Sequence, residues 1–118
     1  MTLPQIMISV MLLVVLGFGQ PAGSGQAGAD SSKVRADKGK RIFVKHCTGC
    51  HGVEGKGDGY TLLGADPANL TSPATKKKSD AALLNTIHEG KSSMPSWNVR
   101  LSEQDSRDVL TYIRTLSK

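Results

Sequence analysis

Cys47-Thr48-Gly49-Cys50-His51 is the stretch on which the reading of this 118-residue chain turns. Two thiols three positions apart, with an imidazole directly after the second, form the arrangement that covalent attachment of a c-type haem requires. One turn of chain brings both sulfurs near the two vinyl groups of one porphyrin face, and the next residue can turn its ring toward the iron. Two thioether bonds and a proximal histidine then hold the cofactor without a large protein core. Cys47 and Cys50 are the only cysteines in the chain, so no thiol is left over for a second task.

Other chemistries use a CxxC pair. A thioredoxin-like redox site places it at the start of a helix within a βαβ unit, whereas the segment upstream, Val34 to His46, is charged and helix-like. A closed zinc site needs four ligands, and the usual second CxxC or His pair is absent. His46, His51 and His88 are the only histidines available to complete one, and two of them flank the cysteines too closely for a normal knuckle. A structural disulfide is the plainest alternative and gives His51 no role.

The length allows one domain plus an N-terminal segment. Ile6 to Phe18 is apolar apart from Ser9 and Gly17. A spanning helix needs about 20 apolar residues, so this run fits the core of a signal peptide better. Small residues follow, among them Ala22-Gly23-Ser24 and Ala27-Gly28-Ala29, as in a cleavage region and flexible linker. No Lys or Arg precedes the apolar run, which keeps an uncleaved anchor open. The expected division is residues 1–29 as signal peptide or N-terminal anchor, 30–33 as linker and 34–118 as the folded domain. Export agrees with haem attachment outside the energy-transducing membrane, giving a periplasmic location, free or anchored to the outer face of the inner membrane.

Every charged residue lies after residue 29, so the domain carries the whole formal charge of +5. Two haem propionates would offset about two of these charges. A basic domain can bind nucleic acid, but four aromatic residues after the leader (Phe43, Tyr60, Trp97, Tyr112) offer no stacking pattern. Docking onto a redox protein with an acidic face fits the charge better. The densest basic run, Lys76-Lys77-Lys78, reads as a solvated loop before a helix. So few aromatics also make a buried haem the natural source of missing apolar core, with a poorly folded apo-protein as the corollary.

Val34 to Cys47 is expected to be a helix with Val34, Ile42 and Phe43 facing the core, delivering the cysteines at its C-terminal end. Gly52 to Gly64 is too glycine-rich for regular structure and is expected to be an ordered loop wrapping the haem edge. Pro67-Ala68-Asn69-Leu70 makes a turn. Ser79 or Asp80 caps a short helix reaching Glu89, with Leu83, Leu84 and Ile87 as its stripe and Gly90 ending it. Ser102 with Asp105 at N3 caps the last helix, where Val109, Tyr112, Ile113 and Leu116 repeat at helical spacing. There is no second CxxCH, which implies one haem.

A histidine-ligated iron is either open and reactive or closed by a sixth ligand and devoted to electron transfer. Met1, Met7 and Met11 lie in the leader, so Met94 alone remains, in the polar loop Gly90-Lys91-Ser92-Ser93-Met94-Pro95-Ser96-Trp97. An isolated methionine usually fills core space. A methionine in a polar loop with proline behind it is poorly placed for that and well placed to hold a thioether toward iron. His88 is the rival, with a helix C-terminal role as its plain alternative. His46 is too near His51 to reach the other haem face.

With these residues in hand, the chain resembles the class I, monohaem cytochrome c family of small bacterial periplasmic domains. The resemblance covers roughly residues 34 to 117 and rests on Gly39 and Phe43, Cys47-x-x-Cys50-His51, Gly55-x-Gly57-Asp58-Gly59, Met94-Pro95 and the helix around Tyr112. It implies an all-α fold of three to five helices around one covalent haem c. The first and last helices cross at Gly39, with Phe43 and Tyr112 beside the contact. It also implies a backbone carbonyl accepting the His51 ring proton, with Pro67 as the candidate and Tyr60 standing where some relatives carry proline. Arg100 or Lys91 would meet a propionate. The expected site comprises Cys47 and Cys50 as covalent attachments, His51 and Met94 as axial ligands, and Phe43, Gly55, Gly57, Pro67, Pro95, Trp97 and Arg100 around the pocket. The implied role is one-electron carriage between redox partners rather than catalysis, as a monomer or a subunit. Alternatives are an electron-transfer subunit of a larger dehydrogenase or reductase, and a five-coordinate haem sensor or peroxidase.

Overall fold

The computed structural model describes residues 26–60 and 67–117, with side chains from Gly28 onward. The apolar run Ile6 to Phe18 and Gly64 therefore lie outside the described residues. Among the described residues the chain forms five helices: α1 Gln26–His46, α2 Thr48–His51, α3 Pro73–Lys76, α4 Asp80–Glu89 and α5 Glu103–Leu116. The one β-type pairing among them is an isolated bridge between Lys91 and Met94. None of these helices is long and apolar enough to cross a membrane.

α1 begins eight residues before Val34, so residues 30–33, expected to be linker, continue the helix. Ala29, Ser31, Ser32 and Lys33 contain no proline to stop a helix propagating outward from its packed part. Val34 is not a core residue: it is 62% exposed, while Phe43 is fully buried. Nine residues at about 100° each put the two about 180° apart on the helix, so both cannot face the same neighbour. Ile42, beside Phe43, is partly buried against the core.

The α1–α5 crossing organises the molecule. A Cβ at Gly39 would lie 1.9 Å from the Asp108 carbonyl oxygen and 3.0 Å from the Tyr112 Cβ, so only glycine admits this approach. The Phe43 and Tyr112 rings pack beside it, 5.3 Å between centroids and tilted by 58°. Asp108 is buried in the crossing, and its carboxylate accepts from Arg35 Nε at 3.3 Å and Gln104 Nε2 at 2.7 Å and pairs with Lys38 Nζ at 3.1 Å. A buried carboxylate is tolerable only with such partners. α5 starts with a full capping box: the Asp105 amide donates to Ser102 Oγ at 3.0 Å, and the Ser102 amide donates back to the Asp105 carboxylate at 3.3 Å. Hydrogen bonding from Lys38, ahead of that from Ser102, holds the Asp105 carboxyl below the usual range.

Phe43, Leu70, Ile87, Leu101, Val109 and Ile113 form the core, with Cys47, Met94 and Trp97 packed partly buried against it. α4 is capped by Ser79, whose Oγ accepts from the Ala82 amide at 3.2 Å, and Gly90 ends it. Only Ile87 of its stripe is fully buried; Leu83 and Leu84 are half-buried. The core therefore opens on one side, where the cysteines and Met94 lie.

Candidate functional site

The hydrogen-bond ladder of α1 runs straight into the motif. The Cys47 amide donates to Phe43 O at 2.8 Å, the His51 amide to Cys47 O at 2.9 Å, and Thr48 Oγ1 to Val44 O at 2.9 Å. Both sulfurs and the imidazole therefore belong to one rigid turn. Burial, with the adjacent Cys50 a smaller contribution, pushes the Cys47 thiol up to about 12. A thiol–disulfide exchange site needs an accessible thiolate, so this environment opposes that chemistry. Among the described residues no strand precedes the motif, which opposes it as well. Among the described residues no three His, Cys, Asp or Glu side chains gather as a metal ion would require, which opposes a closed zinc site.

His51 Nδ1 lies 2.9 Å from the carbonyl oxygen of Ala68. A carbonyl can only accept, so Nδ1 carries the proton and Nε2 keeps its lone pair. That is the tautomer an iron-binding imidazole needs. The acceptor expected from the sequence was Pro67. Successive carbonyls outside a helix face different ways, and that of Pro67 turns to Gly57, 2.5 Å from where a Cβ would stand.

The glycine loop holds this arrangement from behind. The Gly57 amide donates to His51 O at 2.8 Å, Gly59 to Cys50 O at 3.0 Å, and Leu70 to Gly55 O at 2.6 Å. Gly55 and Gly57 were expected at the pocket wall; neither lines it, and both instead tie the histidine turn to the Ala68 segment. Tyr60 is 89% exposed and takes no part.

A cavity of about 370 Å³ opens over the motif, walled by His46, Cys47, Cys50, His51, Pro67 and Ala68 on one side of the sequence and by Lys78, Thr86 and Lys91 to Pro95 with Trp97 on the other. A smaller lobe of about 90 Å³ shares Cys47, His51, Met94 and Trp97 and reaches Phe43, Leu83 and Ile87 in the core. The combined cleft is of the size and apolar character that cofactors fill. The donor set fits a haem: two sulfurs, an imidazole with a free Nε2 and a thioether on one cleft.

Met94 sits on a tight turn. Its amide donates to Lys91 O at 2.9 Å and its carbonyl accepts from the Lys91 amide at 3.1 Å. Ser92, at the turn, has φ +52°, and Ser96 Oγ donates to the His88 carbonyl. Gly90 has φ +74°, and a Cβ there would come within 2.4 Å of Met94 O. The loop closes through the Trp97 amide, which donates to Ile87 O at 3.0 Å.

Of the residues the resemblance sets around a haem, Phe43, Pro67, Pro95 and Trp97 line the cleft and Arg100 does not; His88, the rival ligand set aside in favour of Met94, does not line it either. Arg100 lies over the Trp97 ring, its guanidinium carbon 5.5 Å from the centroid, and His46 packs against the same indole at 5.2 Å. Of the two proposed propionate partners, Lys91 reaches the cleft. Lys78 and Thr86 were missed; nothing in their local sequence distinguishes them from a surface lysine and a helix threonine. Asp108 carries a signal: it lies four residues before Tyr112 on the apolar stripe, where a carboxylate must find cations.

Known proteins resemble this chain. A family model described as cytochrome c oxidase, cbb3-type, subunit III matches residues 34–113. The cbb3-type cytochrome c oxidase subunit FixP of Bradyrhizobium diazoefficiens is 40% identical over 83 residues, covering 69% of this chain but 27% of that protein. Cytochrome c6 of Synechocystis is 35% identical over 77 residues, covering 64% of this chain and 60% of that protein. Among solved structures, the KustC0563 c-type cytochrome superposes with a TM-score of 0.58 at 26% identity, covering 68% of this chain and 98% of that one. By the match over residues 34–113 the chain belongs to the cbb3-type cytochrome c oxidase subunit III family of c-type cytochromes, whose cofactor is covalently bound haem c.

Proposed function

We propose that this protein is a one-electron carrier holding a single haem c through Cys47 and Cys50, with His51 and Met94 as axial ligands. When bound, haem supplies the Fe(III)/Fe(II) couple on which the function depends. The observation that carries the proposal is the His51 Nδ1–Ala68 O hydrogen bond, which leaves Nε2 available on the cleft that Met94 also lines. The chain's residues fix and orient: the α1–α2 turn holds the sulfurs and imidazole, the Lys91–Met94 turn holds the thioether, and the apolar walls exclude water. Two rigid ligands mean little rearrangement on electron transfer, and methionine raises the potential relative to a second histidine. The role needs no substrate site, so the protein is a carrier rather than an enzyme.

Partners are a donor and an acceptor protein that present acidic faces to the exposed Lys76 and Lys77 and to Lys91. The protein faces the periplasm, with the Ile6–Phe18 run as its export signal or anchor. A second reading has specific support: a cbb3-type oxidase subunit is among the relatives, and the chain spans only 27% of the FixP protein of Bradyrhizobium diazoefficiens. In that reading the domain serves as an electron-entry or exit module of a membrane oxidase.

Optical spectra of the protein expressed with haem-attachment machinery test the ligation. The expected result is sharp reduced α and β bands with a weak far-red sulfur-to-iron band when oxidised. Haem bands without the far-red feature would remove Met94, and a protein without covalent haem would overturn the proposal. Purification as a monomer favours the free carrier; co-purification with oxidase subunits favours the module.

A further inference from the structure

Among the described residues that wall the cleft, no side chain is a carboxylate, and two are lysines, Lys78 and Lys91. Lys78 lines both lobes. It belongs to the polar run between α3 and α4, which the sequence alone presents as solvated loop. The structure shows otherwise for its backbone. Arg114, near the end of α5, donates from Nη1 to the carbonyls of Thr75 at 3.5 Å and Lys76 at 3.3 Å, and from Nη2 to that of Lys78 at 2.6 Å. It also donates from Nε at 2.9 Å and Nη2 at 2.6 Å to the Asp80 carboxylate.

One guanidinium thus bridges carbonyls at the end of α3, the Lys78 carbonyl between the helices and the first residue of α4. The segment between α3 and α4 is tied to α5, and Lys78 with it. The Lys78 side chain is exposed, so its ammonium sits at the rim of the cleft, where an anion at the cleft mouth meets it without either charge being fully desolvated. Fixing the backbone beforehand reduces the ordering entropy such a pairing must overcome.

We propose that Lys78 is the fixed positive charge that meets a propionate carboxylate of the haem, and that Arg114 is the positioning residue that holds Lys78 at the cleft wall. This rests on the haem reading above. A cation beside that carboxylate favours the electron-richer reduced state and the ionised carboxylate alike.

The test compares the full chain with its K78Q, K78R, R114Q, R114K and K77Q variants, reading covalent haem by spectrum and the reduction potential as a function of pH. K77Q removes the same formal charge at the neighbouring residue, which does not line the cleft. K78Q is expected to lower the reduction equilibrium constant about threefold, or ~30 mV at 59 mV per tenfold. It is also expected to move the carboxylate inflection of the potential–pH curve to higher pH, while K78R and K77Q leave the curve near wild type. R114Q is expected to reproduce part of the K78Q change and R114K to restore it. Haem attached normally, with K78Q and K77Q curves that coincide, would overturn the role of Lys78. A K78Q shift with an unchanged R114Q curve would overturn the role of Arg114. Absence of covalent haem from the wild-type chain would instead sink the haem reading itself, which the spectrum separates from the other outcomes.

Discussion

The two loops that present His51 and Met94 are held by different means. On the histidine side the side chain itself is tied, through Nδ1 to Ala68 O, and the backbone on both sides is bonded through Gly57, Gly59 and the α1 ladder. On the methionine side Met94 is held through its backbone, in a turn closed by two Lys91–Met94 bonds with Ser92 and Gly90 at positive φ. A thioether has no N–H or O–H with which to tether itself. The imidazole is therefore fixed by its own chemistry, the methionine by the shape of its loop. The methionine side should yield first.

The severest test is His51→Ala, which removes the ring and its tie to Ala68 together. The reduced spectrum should lose its low-spin form and the thermal midpoint should fall; an unchanged spectrum would mean another residue holds the iron. Next comes Met94→Ala. The reduced protein should then bind carbon monoxide at neutral pH, and its potential should drop on the order of 0.1 V, a fraction of the ~0.8 V range axial ligands command. A potential that does not move would exclude Met94 as ligand.

A subtler test leaves both ligands in place. Gly90→Ala forces a side chain into a positive-φ position against Met94 O, a strain of about 1–3 kcal/mol. Because that strain falls on the methionine loop, the far-red band should vanish at lower denaturant concentration than the helical circular dichroism. Coincident transitions would show that the two loops are not separately stable.

The smallest effect is in pH. Burial, then the charges of Lys45 and Arg100, lower the pKa of His46 on the cleft wall. As pH falls through 6.5 the unfolded chain takes up a proton that the folded chain refuses until lower pH. The stability associated with neutral His46 is thus complete above pH 6.5 and declines as pH falls toward the folded value. His46→Gln should flatten that slope in melts between pH 7.5 and 5, and an unaltered slope would assign it to other groups.

Much of the fold could be read from residue pattern. The Ser102–Asp105 capping box and the α5 stripe appear where spacing puts them, because capping and packing at i, i+3 and i+4 are local rules, while the Gly39–Phe43–Tyr112 crossing appears where the resemblance puts it. Val34 shows the limit of the pattern: a lone apolar residue does not say which face of its helix is covered. The carbonyl that meets His51 lies one residue beyond the Pro67 candidate that the resemblance offers, for a similar reason, since carbonyl direction depends on backbone torsions that residue type does not encode outside helices.

The sequence by itself determined the chemistry: two sulfurs and an imidazole at a spacing that one turn of chain makes coincident, and one methionine left in the domain. Those are short-range facts. Only the tertiary structure decided which distant groups meet them. Ala68 and not Pro67 accepts from His51 Nδ1, Arg100 lies over Trp97 and off the cleft, and Arg114 bonds the backbone of Lys78, which lines it. Each of these pairs residues from separate elements, and their meeting depends on how the helices cross rather than on any spacing along the chain.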